Sequence, residues 1–279
     1  MLYNGFIADK RQIYIPMKKI LYLTVACIVL LAACKKGDLV ENTAYEKINP
    51  GDPKYAYLKI LNLTPGSPAL NFYMDGAKFS SGYSTSGIEN VGYAYNGLFP
   101  DLGYAVTTPG AHTLTGKLIP SLAIDPNLEV LNTQIAPEAG KYYTVFTTGQ
   151  YTSTKKIPST IMLEDIRPAL DTSKIFVRLV NMYNGGPNVD MVRDLATGSK
   201  IISNIAYGAA SGWVELPNPG QGTAPSNKVT FVNSNTGVAL IATPITVAFT
   251  KGRAYTLYLR GVSGSTSYPF SGTFYTTFY

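Results

Sequence analysis

The residues whose types could do chemistry in this chain are few: Cys34, His112, the neighbours Glu164-Asp165, and the spaced pair Asp190 and Asp194. His112 is the one imidazole in 279 residues. It follows the Thr108-Pro109-Gly110 turn and alternates with Leu114, which reads as a strand residue, either hydrogen-bonded or facing solvent. A Ser-His-Asp site or a histidine-ligated metal needs partners around the ring, and the sequence supplies none that can be recognised. Paired carboxylates could hydrolyse glycosides, but Glu164 and Asp165 are adjacent on a strand and point to opposite faces. Asp190 and Asp194 flank a strand and match Asn71 and Asp75 earlier in the chain, where Asp75 is a turn residue. The alternating acidic ligands of a calcium loop are missing. The expectation is a non-enzymatic protein with no catalytic residue, no cofactor and no metal site. A carbohydrate-active enzyme is the weakest of the functional readings.

Cys34 offers chemistry of another kind. Met17-Lys18-Lys19 is a short positive start, Ile20 to Leu31 is apolar, and Leu31-Ala32-Ala33-Cys34 closes the stretch. An apolar run this short reads as the hydrophobic part of an export signal rather than a bilayer span. Leu-Ala-Ala-Cys resembles the lipobox of bacterial lipoproteins, in which the cysteine thiol is acylated and becomes the new N-terminus. The resemblance implies a lipid attachment at Cys34 and a place in the cell envelope, at the outer membrane, facing either the periplasm or the surface. Residues 1–33 are then leader and signal peptide, with Met1 or Met17 as the start. Cys27 would be lost with the leader, so the mature chain would have no disulfide and its domains would be stable from core burial alone.

Composition narrows the partners. Hydrophobic residues make up 46% and charged residues 14%, enough apolar material for packed cores and too little charge for a disordered chain. From Cys34 onward there are 19 basic and 16 acidic residues, and no basic run is interleaved with aromatics, so nucleic acid is not an expected partner. The expected partners are a membrane, through the N-terminal lipid, and a glycan or an envelope protein.

The elements that must position these residues come as a repeat. Tyr57-Leu58-Lys59-Ile60-Leu61-Asn62 matches Phe176-Val177-Arg178-Leu179-Val180-Asn181, and the register runs on through Gly66 and Gly185 to Asp75 and Asp194. Asn90-Val91-Gly92-Tyr93 resembles Asn204-Ile205-Ala206-Tyr207, Gly103-Tyr104 resembles Gly212-Trp213, and Gly140-Lys141-Tyr142-Tyr143 resembles Gly252-Arg253-Ala254-Tyr255. Leu58 and Ile60 alternate with Lys59 as Val177 and Leu179 alternate with Arg178, so each first strand is expected to bury one face and wet the other. Leu70 and Phe72 continue the pattern, and Asp75-Gly76 is a hairpin turn because both residues tolerate positive φ. Gly237 to Phe249, broken by Pro244, reads as a strand pair or a bent strand.

The expected fold is all-β: two tandem immunoglobulin-like antiparallel β-sandwich domains after a signal peptide and a flexible tether. The tether spans 34–54, the first sandwich 55–168 and the second 172–279, each expected to fold by itself. Tyr143 and Tyr255 are expected to form tyrosine corners, their hydroxyls bonding a nearby backbone. Asn62 and Asn181 share one phase in both first strands and are expected to bond the backbone of the loops that follow, with a repeated ligand contact as the alternative.

The run Val-Arg-Leu-Val-Asn, then Pro-x-Val-Asp, then Ile-Ala-Tyr-Gly-x-x-x-Gly-Trp resembles the domain of unknown function 4397 family, over both units and more clearly in the second. The first unit departs from it at Gly92-Tyr93-Ala94. The resemblance implies tandem envelope β-sandwiches in a lipoprotein of the Bacteroidetes type and implies no activity. Ligand contact is therefore expected where the repeat is not shared, in Ser80 to Gly87 and Tyr95 to Pro100, with Tyr83, Tyr95 and Phe99 as candidate binding rings. The leading functional expectation is a glycan- or protein-binding or adhesion module, and the alternative is a structural spacer or accessory subunit of an outer-membrane complex.

Overall fold

In each repeat, strands with apolar inward positions build two facing sheets, as seen in a computed structural model that describes residues 46–81, 92–169, 171–216, 228–246 and 250–278. Among these residues there is no helix. The chain divides after Ile48, and both repeats lie in the unit 49–279.

The first repeat contains β1 (Ala56–Asn62), β2 (Leu70–Met74), β3 (Ala77–Lys78), β4 (Leu98–Phe99), β5 (Ala105–Thr107), β6 (His112–Leu118), β7 (Glu129–Ile135), β8 (Tyr142–Thr148) and β9 (Ser159–Glu164). One sheet runs β4-β1-β8-β9, with β5 also on β1, and the other runs β3-β2-β6-β7. The second repeat contains β10 (Ile175–Asn181), β11 (Val189–Arg193), β12 (Lys200–Ile205), β13 (Val214–Leu216), β14 (Lys228–Asn233), β15 (Ile245–Thr246), β16 (Ala254–Arg260) and β17 (Ser271–Phe278). Its sheets run β13-β10-β16-β17 and β12-β11-β14-β15. Pairing is antiparallel except that β1 runs parallel to β8 and β10 parallel to β16, so one sheet of each sandwich is mixed.

Leu58, Ile60, Phe72, Leu114 and Val145 fill the first sandwich, and Val177, Leu179, Met191, Phe231 and Leu257 fill the second. The outer faces of β1 and β10 are not wet. Leu61, Leu63 and Phe146 pack on Val180, Met182, Tyr258 and Tyr275, while Tyr104 and Tyr142 pack on Phe176, Ala254 and Phe278. The four sheets therefore stack as layers, with the two mixed sheets meeting at a central seam. Burial of each large apolar side chain there contributes about 1.5–3 kcal/mol before entropy is counted. This corrects the expectation of one wet face.

Several local expectations hold. Asp75 and Gly76 turn the β2–β3 hairpin with φ of 49° and 85°. The Tyr143 hydroxyl accepts from the Glu138 amide at 3.3 Å, and the Tyr255 hydroxyl from the Thr250 amide at 2.7 Å, five residues upstream in both cases. Asn62 Oδ1 accepts from the Thr64 amide and Asn181 Oδ1 from the Tyr183 amide, so both side chains cap the loops that follow them. Other details differ. Asn62 Nδ2 donates to the Tyr93 carbonyl and Asn181 Nδ2 to that of Ile205, which makes Tyr93 equivalent to Ile205 rather than Tyr207. Asn96 and Gly208 then share a place, each amide donating to the carbonyl of its Asn, and Tyr95 corresponds to Tyr207. Asn49 to Lys54, expected as tether, packs on the first sandwich, where the Tyr57 hydroxyl donates to the Asn49 carbonyl at 2.8 Å. Between Gly237 and Phe249, read from the sequence as a strand pair or a bent strand, Ile245–Thr246 is the only strand among the described residues.

Candidate functional site

A cluster of buried polar groups lies in the middle of the seam, where the alternation of β1 and β10 places Lys59 and Arg178. Lys59 is 0% exposed, Arg178 3% and Asp165 1%. Asp165 follows β9, and its carboxylate accepts from Arg178, from the Thr144 hydroxyl at 2.6 Å and from the Tyr104 hydroxyl at 2.8 Å. Arg178 also donates through Nε to Thr256 at 2.8 Å and lies over the Trp213 ring, 5.0 Å from its centre. Lys59 donates to the Pro100 carbonyl at 3.1 Å and lies 5.0 Å from the Tyr104 ring centre. Burial lowers the Lys59 ammonium to about 8, against the opposing pull of Asp165 and Asp101. Burial also pushes the Tyr275 phenol up to about 12, with the Asp165 charge adding to it. Two cations and one carboxylate thus share a dry seam. In the middle of the seam Lys59, Arg178, Asp165, Thr144 and Tyr104 are each engaged with the protein itself, which fits a framework rather than a reacting centre. The matched Lys59 and Arg178, each with an aromatic residue (Tyr104 and Trp213) at a matched position, were the sequence signal for this cluster.

His112 begins β6, buried at 9% exposure. Its Nδ1 lies 2.6 Å from Asp75 Oδ2 and its Nε2 2.7 Å from the Thr108 carbonyl oxygen. The Asp75 hydrogen bond is the main cause of the raised pKa of the ring. The partner that the sequence did not reveal is therefore a turn residue, and the pair fastens the β2–β3 hairpin.

The acidic pairs do not converge on solvent. Glu164 lies 3.4 Å from Lys141 on the outside while Asp165 is in the seam. Asp190 holds Lys200 at 2.6 Å, and accepts from the Ser234 hydroxyl and the Asn204 amide. Asp194 sits at positive φ in a turn. Among the described residues no three metal-ligating side chains are grouped to hold an ion.

Of the candidate binding rings, Tyr83 lies outside the described residues, as does Cys34. Phe99 is only 5% exposed and packs edge-on against Phe79 and Tyr93, so the expectation of an exposed ring there is corrected. Its strand pairs with β1, which turns the ring into the first core. Tyr95 is half-buried at the end of the seam, its ring 5.7 Å from Tyr268 and 5.3 Å from the Arg260 guanidinium. Arg260 and Tyr268 carry no sequence signal of their own, because their place depends on how the repeats meet.

A family model described as Domain of unknown function (DUF4397) matches residues 56–192. The match takes in the first sandwich and continues through β10 into β11. A search of curated proteins finds no match. Among solved structures the chain is similar to CBMbc, a CBM26 module from Eubacterium rectale Amy13K in complex with maltoheptaose, at 15% identity and TM-score 0.22, covering 79% of this chain and 97% of that one. It is also similar to a candidate cell adhesion protein from Bacteroides uniformis, at 10% identity and TM-score 0.24, covering 81% and 99%. A second candidate cell adhesion protein, from Bacteroides eggerthii, matches at 11% identity and TM-score 0.18, covering 82% and 98%. Scores this low leave the fold to be read from the strands themselves.

Proposed function

We propose that this chain is a non-enzymatic binding or adhesion module of the cell envelope, built from two units of the domain of unknown function 4397 kind and held to the outer membrane by lipid on Cys34. The observation that carries the reading is the fate of the inward polar residues. Asp165, Arg178, Asp190, His112, Asn62 and Asn181 are each engaged by groups of the protein's own framework. What the body offers to a partner is its loops and the half-buried rings at the rim of the seam. The lipobox-like Leu31-Ala32-Ala33-Cys34 supports the anchor, and two or three acyl chains would give durable attachment at about 0.8 kcal/mol per buried methylene.

The experiment has two arms. Radiolabelled palmitate should enter the wild type and not Cys34→Ala, and equal labelling would end the anchor assignment. A glycan array probed with the detergent-solubilised protein should give a dose-dependent signal. A blank array with stable co-purification of an envelope complex would favour the second reading, a structural spacer. The stacked, sealed sheets are the feature that favours that alternative.

A further inference from the structure

Lys59, Arg178 and Arg260 bring basic side chains to the seam, and they differ in how they are satisfied. Lys59 has the Pro100 carbonyl and two aromatic rings, and Arg178 has Asp165, Thr256 and the Glu164 carbonyl. Arg260, the last residue of β16, has no carboxylate partner among the described residues, and its Nε–H is buried without any acceptor. The Tyr95 hydroxyl is likewise buried without a partner. Two orphaned polar atoms from opposite repeats, with the Arg260 guanidinium 5.3 Å from the Tyr95 ring centre, are unusual where buried polar groups are normally paired.

The surroundings are built and held in place. The Tyr258 hydroxyl donates to Asn96 Oδ1 at 2.8 Å, and the Asn96 amide donates to the Asn62 carbonyl at 2.6 Å, so the loop carrying Tyr95 is tied both to β1 and to the second repeat. Gly66 approaches the same place. A Cβ there would come 3.0 Å from the Tyr151 carbonyl and 3.5 Å from the Tyr268 hydroxyl. Tyr95, Tyr151, Tyr268 and Arg260 are all half-buried, so each keeps a part of its surface at the rim. The arrangement exists on one side only. Tyr207, the equivalent of Tyr95, is 38% exposed, and the equivalent of Arg260 in β8 is Thr148, whose hydroxyl is bonded to Ser159.

The geometry points to a binding site for an acidic saccharide at this end of the seam. Arg260 would take the carboxylate side-on through Nε and one terminal nitrogen, the bidentate mode that suits a guanidinium. The tyrosine rings would lie against the sugar, supplying rigid contact area at little entropic cost. The Tyr95 ring must swing aside to uncover Nε, which in turn frees its hydroxyl to bond the ligand. This inference rests on the glycan-binding reading above and names its site and ligand class.

The test is isothermal titration of the full-length protein in detergent with a galacturonate oligomer and with its methyl-esterified form. The acid form should bind and the ester should bind at least tenfold more weakly, the loss expected for a charged hydrogen bond. Arg260→Met should lower the affinity for the acid form by about tenfold or more, Arg260→Lys should restore part of it, and Tyr95→Ala should weaken both forms, all with unchanged melting. Equal binding of acid and ester, or Arg260→Met binding as the wild type does, overturns the site. Array binding of other glycans that ignores Arg260 overturns the site but keeps the glycan reading, whereas no glycan binding at all overturns both. Arg260-dependent capture of an acidic peptide and not the oligomer overturns the saccharide assignment.

Discussion

The two repeats meet through the same face yet do not contribute the same charge. In the first, Lys59 on β1 is accompanied by Thr144 on β8 and Asp165 after β9. In the second, the equivalent positions hold Arg178, Thr256 and Thr277, and Thr256 bonds the Thr277 hydroxyl at 2.6 Å just as Thr144 bonds Asp165. One buried carboxylate therefore faces two buried cations. A buried carboxylate in each repeat would have matched both cations, so the substitution of Thr for Asp leaves the seam with an excess positive charge. The protein accommodates it with aromatic faces, Tyr104 and Tyr275 near Lys59 and Trp213 under Arg178. The strand order is alike in the two repeats, and the difference in charge lies on the face where they meet.

The sharpest way to break that comparison is to remove the shared carboxylate. Asp165→Ala should cost about 3–5 kcal/mol, the usual loss when one partner of a buried ion pair is deleted, because Arg178 is left uncompensated. Denaturant melts check it, and a loss below 1 kcal/mol would show that the aromatic rings alone hold both cations. The paired change Asp165→Leu with Arg178→Met should recover most of the loss.

Lys59 gives the next largest effect, and its sign is opposite to habit. The folded value of about 8 lies below the ordinary 10.5, so between those values the unfolded chain holds the extra proton and stability rises with pH. The gain approaches about 3 kcal/mol as an order of magnitude. The buried phenols, raised by burial, act the other way once free tyrosine ionises near pH 10, so the window to measure is pH 8 to 9.5. Lys59→Met should abolish the rise while leaving the fall above it.

The tyrosine corners are the matched control, since both repeats build them alike. Tyr143→Phe and Tyr255→Phe should each cost about 1 kcal/mol, and a marked inequality would show that one repeat depends on its corner more than the other. The smallest effect belongs to His112, which lies away from the seam in the first repeat. Its folded pKa is raised, so its contribution is present below the unfolded value and is lost as pH rises through the folded one. His112→Gln should flatten that slope, read as a small change in melting temperature between pH 6 and pH 8.

Much of the framework was legible because it is local. Alternation at Leu58 and Ile60, the Asp75-Gly76 turn, the Gly-x-x-Tyr corners and the Asn caps all depend on residues close in sequence or within one strand pair. The seam was not. Lys59 and Arg178 have the polarity of solvent residues and occupy the phase that a single sandwich would expose, and only contact with the other repeat makes that face interior. The same limit hid the site at the rim, where Arg260 and Tyr95 come together across the repeats. Phe99 belongs to a loop whose composition suits binding, and only its pairing with β1 turns the ring into the core. The match of Tyr93 with Tyr207 followed residue identity, whereas the hydrogen bonds from Asn62 and Asn181 set the true equivalence two residues away.

The central claim is that the seam joins the two sandwiches into one cooperative body, and differential scanning calorimetry of the acyl-free protein tests it most directly. The account predicts a single transition whose calorimetric and van't Hoff enthalpies agree, displaced as a whole to lower temperature by Asp165→Ala. Two separable transitions, with Asp165→Ala moving only the one that belongs to the first repeat, would contradict it.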